Sequence, residues 1–93
     1  MNANERKIVA IVKSFGLEIA QHKQGDKDIR VLAYGKHEHT MGVSFSIVRN
    51  KYSYGARDGK YEIAVSYDTE DDKYYGHLTP SKIREIIAST LNR

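Results

Sequence analysis

His37, Glu38 and His39 set two imidazoles one residue apart. On an extended strand, residues i and i+2 share a face. The pair could hold two corners of a zinc site, with His22 or His77 as a third nitrogen. Zinc needs three or four converging ligands held by supporting hydrogen bonds. The spacing supplies two, so His37 and His39 read as solvated edge or interface residues and no metal is expected. A second cluster is acidic: Asp68, Glu70, Asp71 and Asp72 fall within five positions, followed by Lys73, Tyr74 and Tyr75. A calcium loop alternates its ligands around a sharp Gly turn and ends on a bidentate Glu. That spacing is absent, and the carboxylates read as a solvated loop over 68–75 aimed at a basic partner. The segment from Gly55 to Lys60 has two glycines and a lysine, but one residue too few between the glycines. Tyr61 stands where a phosphate loop has Ser or Thr, so the segment is not such a loop. Its neighbours are of more interest. Tyr52, Tyr54 and Arg57 place two aromatics and a guanidinium on a Gly-flanked element. That set can stack on a nucleotide ring and hold a phosphate, or reach into a protein cleft.

No Ser-His-Asp order is legible, and no carboxylate pair has surroundings that separate two pKa values. The chain has no cysteine, which removes a thiol nucleophile, a disulfide scaffold and any thiolate metal or iron–sulfur site. No catalytic residue and no cofactor is expected, and the chain does not read as an enzyme.

The elements that must position these residues fit one domain, 1–93. A chain this short folds alone with little stability to spare. Apolar residues make up 40% and charged residues 29%, a balance that supports a core and is unlike that of a disordered chain. The longest apolar run, Ile8 to Val12, is far too short to span a bilayer and leads to no cleavage site, so neither a membrane span nor a secretory signal is expected. Charge is uneven. Residues 1–60 hold eleven basic and six acidic side chains, and residues 61–93 hold four and six. The net +3 permits nucleic-acid binding without requiring it. Seven tyrosines suit half-buried strands, and equally suit interfaces, where a flat ring with a polar tip makes contact at low entropy cost.

Along the chain, Asn2 or Asn4 can cap a first helix whose apolar stripe is Ile8, Val9, Ile11, Val12 and Phe15. Gly16 follows where a left-handed residue ends a helix. Strands are predicted over 17–23, 29–34, 41–48 and 60–68, the last two alternating most clearly. Thr79 and Pro80 open a second helix with Ile83, Ile86, Ile87, Thr90 and Leu91 on its apolar stripe. The order α-β-β-β-β-α predicts an α+β fold: a four-stranded, mainly antiparallel sheet with both helices on one face. The other face is left to solvent or to a partner.

The second half resembles a type of small protein encoded in bacteriophage genomes. The likeness covers residues 43–91. It rests on Val43-Ser44-Phe45-Ser46-Ile47-Val48-Arg49, on Ser53-Tyr54-Gly55 with Gly59, and on Tyr61-Glu62-Ile63-Ala64-Val65. Asp71-Asp72 and Gly76-His77-Leu78-Thr79-Pro80 complete it. The chain departs from that pattern at His77, where an aromatic is usual, and at Lys73-Tyr74-Tyr75. The resemblance implies an accessory phage protein working in the bacterial cytoplasm, and such proteins often bind and block host factors.

The leading expectation is therefore a non-enzymatic binding protein that inhibits or modulates a host macromolecule, such as an anti-CRISPR-like inhibitor of a defence system. Its contact residues would be Tyr52, Tyr54, Arg57, Asp68, Glu70, Asp71, Asp72, Tyr74 and Tyr75. The first alternative is a sponge for a small or cyclic nucleotide, built on Tyr and Arg. The second is a nucleic-acid module using Lys36, Arg49, Lys51, Arg57 and Lys60. Its affinity would fall steeply with salt as bound phosphates release counterions, and the acidic loop works against it. An exposed sheet face or edge strand also allows a homodimer.

Overall fold

In the first helix, α1 (Ala3–Ser14), Ile8, Ile11 and Val12 recur at helical spacing and all three are buried. The computed structural model describes residues 3–24, 29–36, 42–49, 60–67 and 71–92. Asn4 lies inside α1, so it is not the cap the sequence suggested; Asn2 falls outside the described residues. The helix closes one residue before Phe15. The Gly16 N–H donates to the Lys13 carbonyl at 3.0 Å, with Gly16 at φ 73°. That left-handed geometry is strained for any residue with a Cβ. Phe15 still packs against the core from the turn.

Five strands follow: β1 (Glu18–Gln24), β2 (Ile29–Tyr34), β3 (Val43–Arg49), β4 (Tyr61–Tyr67) and β5 (Lys73–Leu78). They form one antiparallel sheet in the order β1-β2-β3-β4-β5. The predicted four strands are thus corrected to five, and Tyr74 and Tyr75 sit in a strand instead of a loop. The reason is positional. β5 is an edge strand in which only Leu78 is buried, so it carries no apolar alternation to announce it.

The last helix, α2 (Pro80–Leu91), begins as its sequence dictates. Thr79 Oγ1 accepts from the Lys82 N–H at 3.3 Å, and Pro80 takes the first turn, where its missing N–H costs nothing. At the other end Thr90, which is buried, satisfies its hydroxyl by donating to the Ile86 carbonyl at 2.7 Å. Thr79→Ala is expected to lower stability by about 1 kcal/mol, read as a shift in the urea midpoint with an unchanged slope.

One face of the sheet is the core. Ile29, Val31 and Ala33 of β2, Phe45 and Ile47 of β3, and Tyr61, Ile63 and Val65 of β4 alternate onto it. Ile8, Ile11 and Val12 of α1 join Ile83 and Ile87 of α2 in the same buried cluster. Both helices therefore cover the same side. Each large apolar side chain so buried contributes roughly 1.5–3 kcal/mol. Among the described residues, no helix is long and apolar enough to cross a membrane.

Candidate interaction surface

The opposite face carries the alternate residues of the same strands, and the pairing register lines them up in rows. Arg30, Val48 and Glu62 form one row across β2, β3 and β4. Leu32, Ser46, Ala64 and Tyr74 form the next, reaching β5. Tyr34, Ser44 and Ser66 form the third. The floor is thus Ser44, Ser46, Ala64 and Ser66, all small, between bulky side chains on β2 and Tyr74 on β5. Two shallow depressions result. One, of about 470 Å³, is lined by Arg30, Ser46, Val48, Glu62, Ala64 and Tyr74 among others. The other, of about 270 Å³, involves Leu32, Tyr34, Ser44 and Ser66.

β5 is the second feature. Every side chain from Lys73 to His77 is exposed. Tyr74 is 74% and Tyr75 41% exposed, so both rings are available for contact. Tyr74 lies on the open face, opposite Ala64, and its hydroxyl donates to Asp72 Oδ2 at 3.4 Å. Lys73 Nζ lies 5.6 Å from the centroid of the Tyr67 ring, within cation–π range. His77 has φ 56°, in the irregularity where β5 shifts register against Tyr61 and Ile63. Lys73 to Tyr75 is therefore the regular part of this edge.

Of the predicted contact residues, Asp71, Asp72, Tyr74 and Tyr75 lie on one exposed segment, with Tyr74 on the open face and Tyr75, paired with Ile63, on the other. Tyr52, Tyr54, Arg57, Asp68 and Glu70 lie outside the described residues, as do His37 and His39. Of the basic set proposed for nucleic acid, Lys36, Arg49 and Lys60 fall among the described residues. Lys36 follows β2 at the Tyr34–Ser44 end of the sheet, whereas Arg49 and Lys60 sit at the other end. Arg49 is half-buried, its guanidinium 5.9 Å from the centroid of the fully buried Tyr61 ring. Lys51 and Arg57 are outside the described residues.

Sequence reasoning did not single out Arg30, Leu32, Tyr34 or Ser46. Their signal was the polar half of each strand alternation, which marks a face without saying which residues become neighbours. Among the described residues, no three His, Asp or Glu side chains gather as a metal site would require. What the surface offers is flat aromatic contact, hydroxyls and opposed charges. Compared with known proteins, the chain matches no family model, no curated protein and no solved structure.

Proposed function

We propose that the chain is a non-enzymatic binding protein that inhibits or modulates a bacterial host macromolecule, an anti-defence inhibitor of the kind its phage resemblance implies. The observation that carries this reading is the β5 edge, where two exposed tyrosines follow the exposed acids Asp71 and Asp72. No strand pairs with the outer side of β5 among the described residues. An open edge of this kind can add to a partner's sheet or receive an extended segment, with main-chain hydrogen bonds giving affinity. The tyrosines give contact area, and the acids favour a partner with a basic rim.

The test is capture from bacterial lysate with tagged wild-type protein, with Tyr74→Ala/Tyr75→Ala, and with Lys82→Ala on exposed α2 as control. One host protein held by the wild type and the control, and bound about tenfold or more weakly by the double variant, is the expected result. A bound nucleotide as the sole companion turns the case to a sponge. Equal capture by all three proteins removes β5 from the interface.

A further inference from the structure

The geometry points to the open sheet face as the interface between two copies of this chain, related by a two-fold axis that lies between the sheets and runs along β3. Face-to-face sheets pack about 10 Å apart. Rotation about that axis keeps each position along the strand and exchanges the two sides of the sheet. β3 then lies on β3 of the second copy, and β2 lies over β4.

The side chains of β2 and β4 match under this operation. Arg30 is set opposite Glu62 of the second copy, and Glu62 opposite Arg30 of the second copy, because both stand in the row centred on Val48. Leu32 meets Ala64 of the second copy, and Tyr34 meets Ser66 of the second copy, again by row. Each bulky side chain of β2 therefore lands on a small one of β4. Arg30 and Leu32 of one copy are directed at the depression of about 470 Å³ that Glu62 and Ala64 help line in the other. Tyr34 comes over Ser66, at the β4 margin of the smaller depression. Along the axis, small Ser44 and Ser46 meet their own counterparts, so the backbones can approach.

The competing two-fold, in the same plane but perpendicular to the strands, fails. It would set Arg30 against Tyr34 and Leu32 against itself, crowding β2, while Glu62 met Ser66 over a gap. Of the two, the axis along β3 pairs the charges and interleaves the volumes, and it produces the self-complementary patch that a two-fold dimer requires. Stacking the sheets face to face uses no in-plane main-chain hydrogen bonds, so the outer edge of β5 stays open.

Sedimentation velocity across a concentration series tests this on the full chain, with circular dichroism confirming that each variant folds. The wild type should show a monomer–dimer equilibrium. Arg30→Glu and Glu62→Arg should each weaken the dimer about tenfold or more, since each sets like charges face to face. The double reversal Arg30→Glu/Glu62→Arg should recover most of that loss, because it restores opposite charges across the two-fold. Ser46→Arg, on the axis, should leave monomer alone. If Glu62→Arg does not fold, Arg30→Glu and Ser46→Arg decide. A wild type that stays monomeric overturns the inference. So does a dimer indifferent to Ser46→Arg, or a double reversal no better than the single ones.

Discussion

Phe45→Ala should lower the stability of this chain by about 3–5 kcal/mol, the usual cost of emptying a buried aromatic site. Phe45 is 1% exposed and sits on the central strand, paired with Ala33 on one side and Val65 on the other. Its neighbours are held by two hairpin registers and roofed by helices, so the site cannot collapse to refill the space. Domains of this size have total stabilities of about 5–15 kcal/mol. The variant is therefore close to the threshold of folding. At about 4–8 °C per kcal/mol for a small domain, the thermal midpoint should fall by at least about 12 °C. Ser46→Ala, one residue along and on the other face, should move stability by no more than about 0.5 kcal/mol. Thermal unfolding of the pair checks both. Equal losses at 45 and 46 would mean that the two faces of β3 are not divided into core and surface as described.

That division was legible in the residues, because Phe45 and Ile47 alternate with serines, and Ile63 and Val65 with Glu62, Ala64 and Ser66. Burial on one face imposes a period of two, and a one-residue slip would turn the whole apolar set outward. The entry of α2 was legible for a different reason: Thr79 and Pro80 satisfy the orphaned N–H groups of a first turn whatever the tertiary context. β5 was not legible. An edge strand with one buried side chain has no face to declare, and the acids before it read as loop. The rows of the open face were hidden for a third reason. Arg30, Val48 and Glu62 are widely separated in the chain, and only the registers of two hairpins make them neighbours. A strand's sequence says which residues share its face, but alignment between strands depends on how the turns set the register of each pair. The opposed charges that carry the dimer inference exist only once the sheet has formed. The acidic and aromatic segment before α2 needed no such alignment, being contiguous, and Asp71, Asp72, Tyr74 and Tyr75 do emerge on one exposed segment.

The largest effect should come from Ile63→Lys, which should leave the chain mostly unfolded at room temperature. Ile63 is 1% exposed, and its side chain joins the buried cluster beside Ile47. An ammonium there loses its hydration. The described neighbours on this face are apolar, apart from the phenols of Tyr61 and Tyr75 and the half-buried Arg49 beside the Tyr61 ring, none of which is a carboxylate. The group must either stay charged in a low-dielectric interior or give up its proton to fold. Either course costs several kcal/mol, comparable to the whole stability of the domain. Ala64→Lys places the same charge one residue along, between Ser46 and Tyr74 on the open face. There the long stem can lie along the sheet with its ammonium in water, and stability should change by about 1 kcal/mol or less. The two variants have the same net charge and differ by one position, so propensity and overall electrostatics nearly cancel in the comparison. Circular dichroism and amide-proton dispersion should report a collapsed signal for the first and a native one for the second. A native spectrum for Ile63→Lys would mean that the helices do not cover β4. An unfolded Ala64→Lys would mean that the open face is buried within the single chain. If Ala64→Lys folds but no longer self-associates where the wild type does, the lysine has blocked the seat of Leu32 from the second copy without touching the core, and fold and interface are shown to lie on opposite sides of one strand.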